Sequence, residues 1–311
     1  MNSTNLILNN IYKKIYVAKD RRKAHKLLHN QILKLANNKE FIINSIINSL
    51  ANKKFILNNA DNLVLPLYSN GDIVVCINIF PPLKNSIEPI THDNIHHHGW
   101  RLLSTAVICG DGYETILFKK NCHKKISNEH VCLEIKKIFT HKKNKITFID
   151  TETAHVVFHP KSLTATLAVW SADKLLLNQE FKKKLMAFPA FRKFIVKIIH
   201  SLGLTKILGL NQISGLYFSP ENGVFKEMLK YKKEKDGSAA EIIPCFFKLF
   251  EKIGFSQADL QKIKKFIPYK YKNLYLKLLN KETLPEIFIK SSLNRQYSKR
   301  EILNVIKKNV K

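Results

Sequence analysis

The sequence predicts an α+β protein in which an antiparallel, strand-rich centre carries helices on both flanks. Three observations lead there. Apolar residues recur at helical spacing up to about residue 60, short apolar runs separated by turn signals fill 61–172, and capped helical patterns return from Asp173 onward. The chain has 311 residues, 45% hydrophobic and 24% charged, enough to bury a sizeable core. The changes of pattern divide it into an N-terminal helical segment (1–60), a strand domain (61–172) and a C-terminal basic helical region (173–311).

Between Asn5 and Asn58 the apolar positions Leu27, Leu28, Ile32, Leu33 and Leu35, then Phe41, Ile42, Ile46 and Ile47, follow a helical repeat with no strand alternation. From Leu63 the character changes. Val64, Leu65 and Leu67 precede Asn70-Gly71, a tight-hairpin signal, and Ile73 to Phe80 forms the return strand. The run from His96 to Cys109 is β-rich, Gly110-Asp111-Gly112 supplies a second turn, and Tyr113 to Phe118 returns. Val131 to Thr140, Lys145 to Asp150, His155 to His159 and Leu163 to Ser171 complete the set. Many short strands at this spacing fold as an antiparallel sandwich, jelly roll or small barrel.

Beyond Asp173 the expected helices are Phe181 to Leu202, Pro220 to Lys235, Glu241 to Ile253, Gln257 to Ile267, Asn273 to Asn280, Glu286 to Lys290 and Arg300 to Lys308. Ser219 before Pro220 suits a helix start. Ser256 with Asp259, Thr283 with Glu286 and Ser298 with Glu301 each place an acid three residues after a hydroxyl cap.

The formal charge is +28, and residues 173–311 hold 29 Lys/Arg against 12 Asp/Glu. A basic region of this kind attracts nucleic acid or an anionic membrane. Lysine, asparagine and isoleucine are nevertheless abundant throughout, so a solvated lysine surface and a functional basic face both remain open. The five cysteines (Cys76, Cys109, Cys122, Cys132, Cys245) are odd in number and form no C-x-x-C, which reads as reduced interior thiols. Met1-Asn-Ser-Thr lacks a basic start and lysines interrupt every apolar run before ~18 residues, so a cytoplasmic protein without a membrane span is expected.

The chemistry concentrates in His92, His96, His97 and His98, followed much later by His155. On an extended strand His96 and His98 share one face and can hold one metal ion together. A rolled sheet can bring the distant His155 beside them, completing a facial triad. Three neutral imidazoles leave the metal its full charge and open positions, which favours an anionic ligand beside O2. His97, of opposite parity, reads as an ordinary strand residue or an alternative ligand. His92 lies in a loop four residues earlier, and His159 precedes Pro160, which suits a structural role. Trp100 and Trp170 suit either core packing or an aromatic pocket wall. Arg101 could pair with an acidic substrate, although counting straight through from His96 gives it the outward parity. Arg101, Trp170 and Tyr113 are the candidate catalytic residues.

The strand domain resembles the cupin superfamily, and within it the thiol dioxygenases of the cysteine dioxygenase type. The residues that carry the resemblance are Ile95-His96-His97-His98, Gly110, Glu114-Thr115-Ile-Leu-Phe118, His155, and Thr166-Leu-Ala-Val-Trp-Ser171, spanning roughly Tyr68 to Ser171. The resemblance implies a cupin-type β-barrel with His96, His98 and His155 as ligands of a single Fe(II), and Gly110 as the residue that lets a hairpin turn beneath them. Departures are as informative. Many cupins place a Glu shortly after the second His, where this chain has Leu102 and Leu103. The cysteine dioxygenases have a crosslink-forming Cys where this chain has Leu103, a His where it has Ala168 and a Tyr where it has Trp170. Their substrate-binding Arg follows a Tyr-Thr pair, and Tyr68-Ser69-Asn70 offers none.

The expectation is a mononuclear non-haem iron oxygenase taking O2 and a small organic substrate, a thiol or amino-acid derivative other than free cysteine. Ni, Mn or Zn with an isomerase, decarboxylase or lyase reaction is one alternative, since ligand sets overlap. Another is a cupin-containing binding protein whose basic region grips nucleic acid or membrane. Nucleotide-binding, α/β-hydrolase and zincin motifs are all missing from the chain.

Overall fold

The computed structural model describes residues 3–51, 63–69, 72–83, 95–99, 101–119, 124–125, 130–173, 217–221, 224–228, 239–288 and 298–308. The chain opens with four helices, α1 (Ser3–Tyr16), α2 (Arg21–Leu27), α3 (His29–Ala36) and α4 (Lys39–Ala51). Asp20 caps α2 by accepting from the Lys23 amide, and the apolar stripe Ile32, Leu35, Ala36 buries one face of α3.

The central strands are β1 (Leu63–Ser69), β2 (Ile73–Phe80), β3 (Arg101–Cys109), β4 (Glu114–Phe118), β5 (Lys124–Lys125), β6 (His130–Cys132), β7 (Ile135–Thr140), β8 (Ile146–Ile149), β9 (His155–Val157) and β10 (Thr164–Ala172). Two antiparallel sheets face each other, a five-stranded one in the order β1-β2-β10-β3-β8 and a three-stranded one in the order β7-β4-β9. Cys76, Leu103, Ile149 and Ala168 of the first sheet pack against Leu117 and Phe139 of the second. The crossover sets β10 between β2 and β3, so the last strand of the domain lies inside the larger sheet. Among the described residues the sheets do not join into one closed barrel.

Alternation along each strand sorts the two faces. On β10, Leu167 and Val169 point to the main core, whereas Ala168 and Trp170 point between the sheets. The main core lies behind the five-stranded sheet and joins Ile11, Ile15, Leu28 and Ile46 of the N-terminal helices to Ile77, Leu167 and Val169, and to Phe246, Phe247 and Phe250 of the C-terminal region. Helices from both ends of the chain therefore brace the same sheet. Two buried polar contacts fix α2 onto it. Arg21 pairs bidentately with Asp72 at 2.7 and 2.8 Å, and His25 bridges Ser104 and Ser171, each at 2.9 Å.

Two expectations for the C-terminal region are corrected. In place of a helix from Pro220, residues 217–228 form a hairpin, β11 (Tyr217–Glu221) with β12 (Val224–Met228), which extends β6 and β5 into a four-stranded sheet. Glu221 pairs with Val224, and the sequence Asn-Gly between apolar runs favours a hairpin over continued helix. Thr283-Leu-Pro-Glu286 starts no helix among the described residues; the Glu286 carboxylate instead accepts from the Leu163 amide at 2.8 Å. Helices α5 (Ala239–Ile253), α6 (Gln257–Ile263), α7 (Lys272–Leu279) and α8 (Lys299–Lys308) match expectation. The Ser256/Asp259 capping box is complete, and Ser298 and Glu301 exchange the same pair of bonds. The expected helix Phe181 to Leu202 lies outside the described residues.

Cys76, Cys109 and Cys245 are buried free thiols and Cys132 is half-buried and free, while Cys122 lies outside the described residues. Among the described residues no helix is long and apolar enough to cross a membrane.

Candidate metal centre

His155 opens β9, and its backbone is tied to His96 by two hydrogen bonds, His96 N to His155 O at 3.1 Å and His155 N to His96 O at 2.8 Å. This antiparallel pair brings together two residues far apart in sequence and places their side chains on one face. His98, two residues on, joins them. The Nε2 atoms of His96 and His98 are 3.2 Å apart, and one nitrogen from each of the three rings falls within 4.8 Å of the others. Two imidazoles bound at about 2.05 Å to one ion stand about 2.9 Å apart at a right angle and about 3.3 Å apart at the tetrahedral angle, so the observed spacing fits shared ligation. The ring centroids lie 4.4 to 5.0 Å apart.

His155, 2% exposed, donates from Nδ1 to the Thr153 carbonyl at 3.1 Å. That bond fixes the tautomer and leaves Nε2 as the electron-pair donor, the usual support for a metal-binding imidazole. The donor set suits a borderline divalent metal such as Fe, Ni or Zn. No described carboxylate joins the three-His group. Leu102 and Leu103, where a cupin glutamate could stand, are both buried.

His97 stays out of this group. It is buried, and its Nδ1 accepts from the Gly99 amide at 2.9 Å, bracing the turn that carries His98. Gly99 has φ +57°, a left-handed turn that glycine adopts without strain. The turn resets the strand alternation. Arg101 lies opposite Ala172 and Leu103 opposite Trp170, so Arg101 shares the inward register of Leu103 rather than the outward parity obtained by counting through from His96. Burial holds its guanidinium below the usual range, partly offset by nearby Asp72.

Trp170 packs edge-on against His98 with ring centroids 4.4 Å apart, forming a wall of the site together with Leu103, Leu117 and Ile149. Tyr113 does not join the imidazoles. It stands four residues before Leu117, the partner of His155, or about 13 Å along the strand at the usual rise. There it is buried against Phe80 and His141, and burial raises its phenol well above the usual range. Gly110, with φ +89°, turns the hairpin at that far end, where a Cβ would meet Leu163 and Thr164. His159 donates to the Pro81 carbonyl at 2.8 Å, a structural bond. His92 and Trp100 lie outside the described residues.

Of two further interior residues, sequence reasoning picked out Cys76 as a buried thiol and missed His141. His141 sits between Thr105 at 3.3 Å and Thr115 at 3.0 Å, pushed down to about 3 by burial and therefore neutral. Cys76, pushed up to about 12 by burial, lies opposite Ala168 and beside the Trp170 side chain, and its thiol donates to Asn78 Oδ1 at 3.7 Å. Its place on a strand with alternating faces was legible; its proximity to Trp170 needed the register.

No protein-family model and no curated protein sequence matches the chain. Solved structures do, over the central part. The cupin domain of Schizosaccharomyces pombe Cnp3 matches with 8% identity, 37% of this chain, 66% of that one and a TM-score of 0.26. A putative mannose-6-phosphate isomerase from Ralstonia eutropha matches with 12% identity, 37% of this chain, 89% of that one and the same TM-score, 0.26. The dimethylsulfoniopropionate (DMSP) lyase DddQ from Ruegeria pomeroyi matches with 10% identity, 36% of this chain, 48% of that one and a TM-score of 0.26. The chain thus spans about half to nine-tenths of these proteins. The likeness concerns the double sheet alone, and the chemistry of the site is read from its own geometry.

Proposed function

We propose that this chain is a metal-dependent cupin enzyme, a mononuclear iron dioxygenase acting on a small acidic substrate, a thiol or amino-acid derivative other than free cysteine. The observation that carries the reading is the convergence of His96, His98 and His155, with the His96 and His98 nitrogens 3.2 Å apart and a His155 nitrogen within 4.8 Å of both. A divalent metal held there supplies Lewis acidity and open positions for an anionic substrate and O2. Three neutral donors favour Fe(II) together with an anion, while Ni, Mn or Zn fit the same nitrogens.

The chain's own residues supply the rest. Trp170 and Leu103 wall the metal-facing side and exclude water, and the His155–Thr153 bond keeps that ligand oriented. Arg101, half-buried on the inward register, pairs with the substrate's acid group. Leu103 and Ala168 replace groups that the cysteine dioxygenases use near the metal, which supports a substrate other than cysteine. The test is metal analysis with oxygen-uptake screening against thiols and amino acids. About one iron per chain and substrate-dependent uptake, both lost in His96→Ala and His155→Ala, are expected; a wild-type protein that retains no metal overturns the reading.

A second reading draws on the surface of α6 and α7. Tyr269 is 87% exposed between Lys264, Lys265, Lys270 and Lys272, a pairing of aromatic and cationic groups that suits single-stranded nucleic acid. Retention of RNA at about 50 mM salt that is lost by about 200 mM supports it, and no retention at low salt removes it.

A further inference from the structure

Register places one more cation on the row of residues that carries His155. Lys137 on β7 lies opposite Leu117 on β4, and Leu117 lies opposite His155 on β9. Residues directly opposite in antiparallel strands share a face, so Lys137, Leu117 and His155 form one row across the inner face of the three-stranded sheet, with Lys137 exposed at its edge. Two inter-strand spacings separate the Cα atoms of Lys137 and His155 by about 10 Å, within reach of a four-carbon side chain and a small ligand. The Lys137 ammonium confirms the facing: it stands 5.2 Å from the ring centroid of Phe139, which packs against the Cys76, Leu103 and Trp170 wall.

The neighbouring acids are already engaged. Asp72 pairs with Arg21, Asp150 with Arg22, and Glu134 with Lys119. Among the described residues no ion pair takes Lys137, while Asp72 also lies near Arg101. Arg101 comes from the five-stranded sheet and Lys137 from the three-stranded sheet, so the two cations approach the imidazoles from facing walls.

We propose that Lys137 is a specificity-determining residue and that the ligand of this pocket carries two anionic groups, one taken by Arg101 and the metal-facing side, the second by Lys137. The proposal rests on the metal-enzyme reading for the position of the ligand. Isothermal titration of zinc-loaded protein with succinate and with butyrate, equal in carbon number and differing by one carboxylate, tests it. Succinate binds about five-fold more tightly than butyrate to the wild type, Lys137→Gln removes that preference without changing butyrate affinity or zinc content, and Lys137→Arg keeps it. Equal affinity for the two acids, binding of neither, or a Lys137→Gln variant that still prefers succinate overturns the proposal. A preference that depends on zinc but not on Lys137 leaves the metal centre standing and removes this inference. A preference that depends on Lys137 and survives removal of zinc leaves the inference and removes the metal reading.

Discussion

Lowering the pH should loosen the attachment of α2 to the sheet through His25. Its ring is 0% exposed, both nitrogens are engaged by Ser104 and Ser171, and Phe148 packs alongside. Burial first, then His29 and Arg21, pushes it down to about 4 from 6.5. A folded-state value below the unfolded one means that the unfolded chain binds the proton more readily. The stability this group contributes is therefore intact above about pH 6.5 and is lost as the pH falls toward about 4. At pH 5 the unfolded imidazole is almost fully protonated and the folded one only slightly, which gives a loss of about 2 kcal/mol from this residue. Urea denaturation at pH 7 and pH 5, on wild type and His25→Gln, measures it. With an m-value of about 2 kcal/mol/M, the wild-type midpoint falls by about 1 M more than the variant's. Equal pH-dependent shifts in the two proteins would refute the assignment of a neutral, buried His25.

Other perturbations have equally definite outcomes. His141 sits at about 3 for the same reason, so His141→Gln should also flatten the acid limb, and the double variant with His25→Gln should lose about twice the pH dependence of either alone. Arg21→Ala strands the 4% exposed Asp72 without its bidentate partner and should cost about 3 to 5 kcal/mol by chemical denaturation, whereas Arg21→Met with Asp72→Leu should recover most of it. Gly112→Ala combines a φ of +83° with a Cβ that runs into the His141 carbonyl, and its melting temperature should fall by several degrees, about 3 kcal/mol or more. Ser256→Ala removes one capping box on α6 and should cost about 1 kcal/mol, with metal content unchanged.

The strand domain and both helical flanks were legible because burial imposes period-two and period-3.6 patterns that survive in the sequence, and because Ser256 and Ser298 carry their partners three residues away. Ser219-Pro220 misled for the same local reason: it reads as a helix start only if the Asn-Gly hairpin signal that follows in the sequence is overlooked. Thr283 to Glu286 has a cap's spacing, yet a tertiary partner, the Leu163 amide, takes the carboxylate. The imidazoles His96 and His98 were legible as a pair, since alternation alone puts them together.

Chain chemistry by itself determined that this protein has two imidazoles on one strand face, another far downstream, no glutamate at Leu102 or Leu103, and capped helices at the far end. Only the tertiary structure decided that His155 backs directly onto His96, that the Gly99 turn brings Arg101 round to the inward register, and that Tyr113 belongs to the opposite end of the sheets. Each of these depends on cross-strand register, which is set by long-range packing of the facing sheets and leaves no periodic trace along the chain.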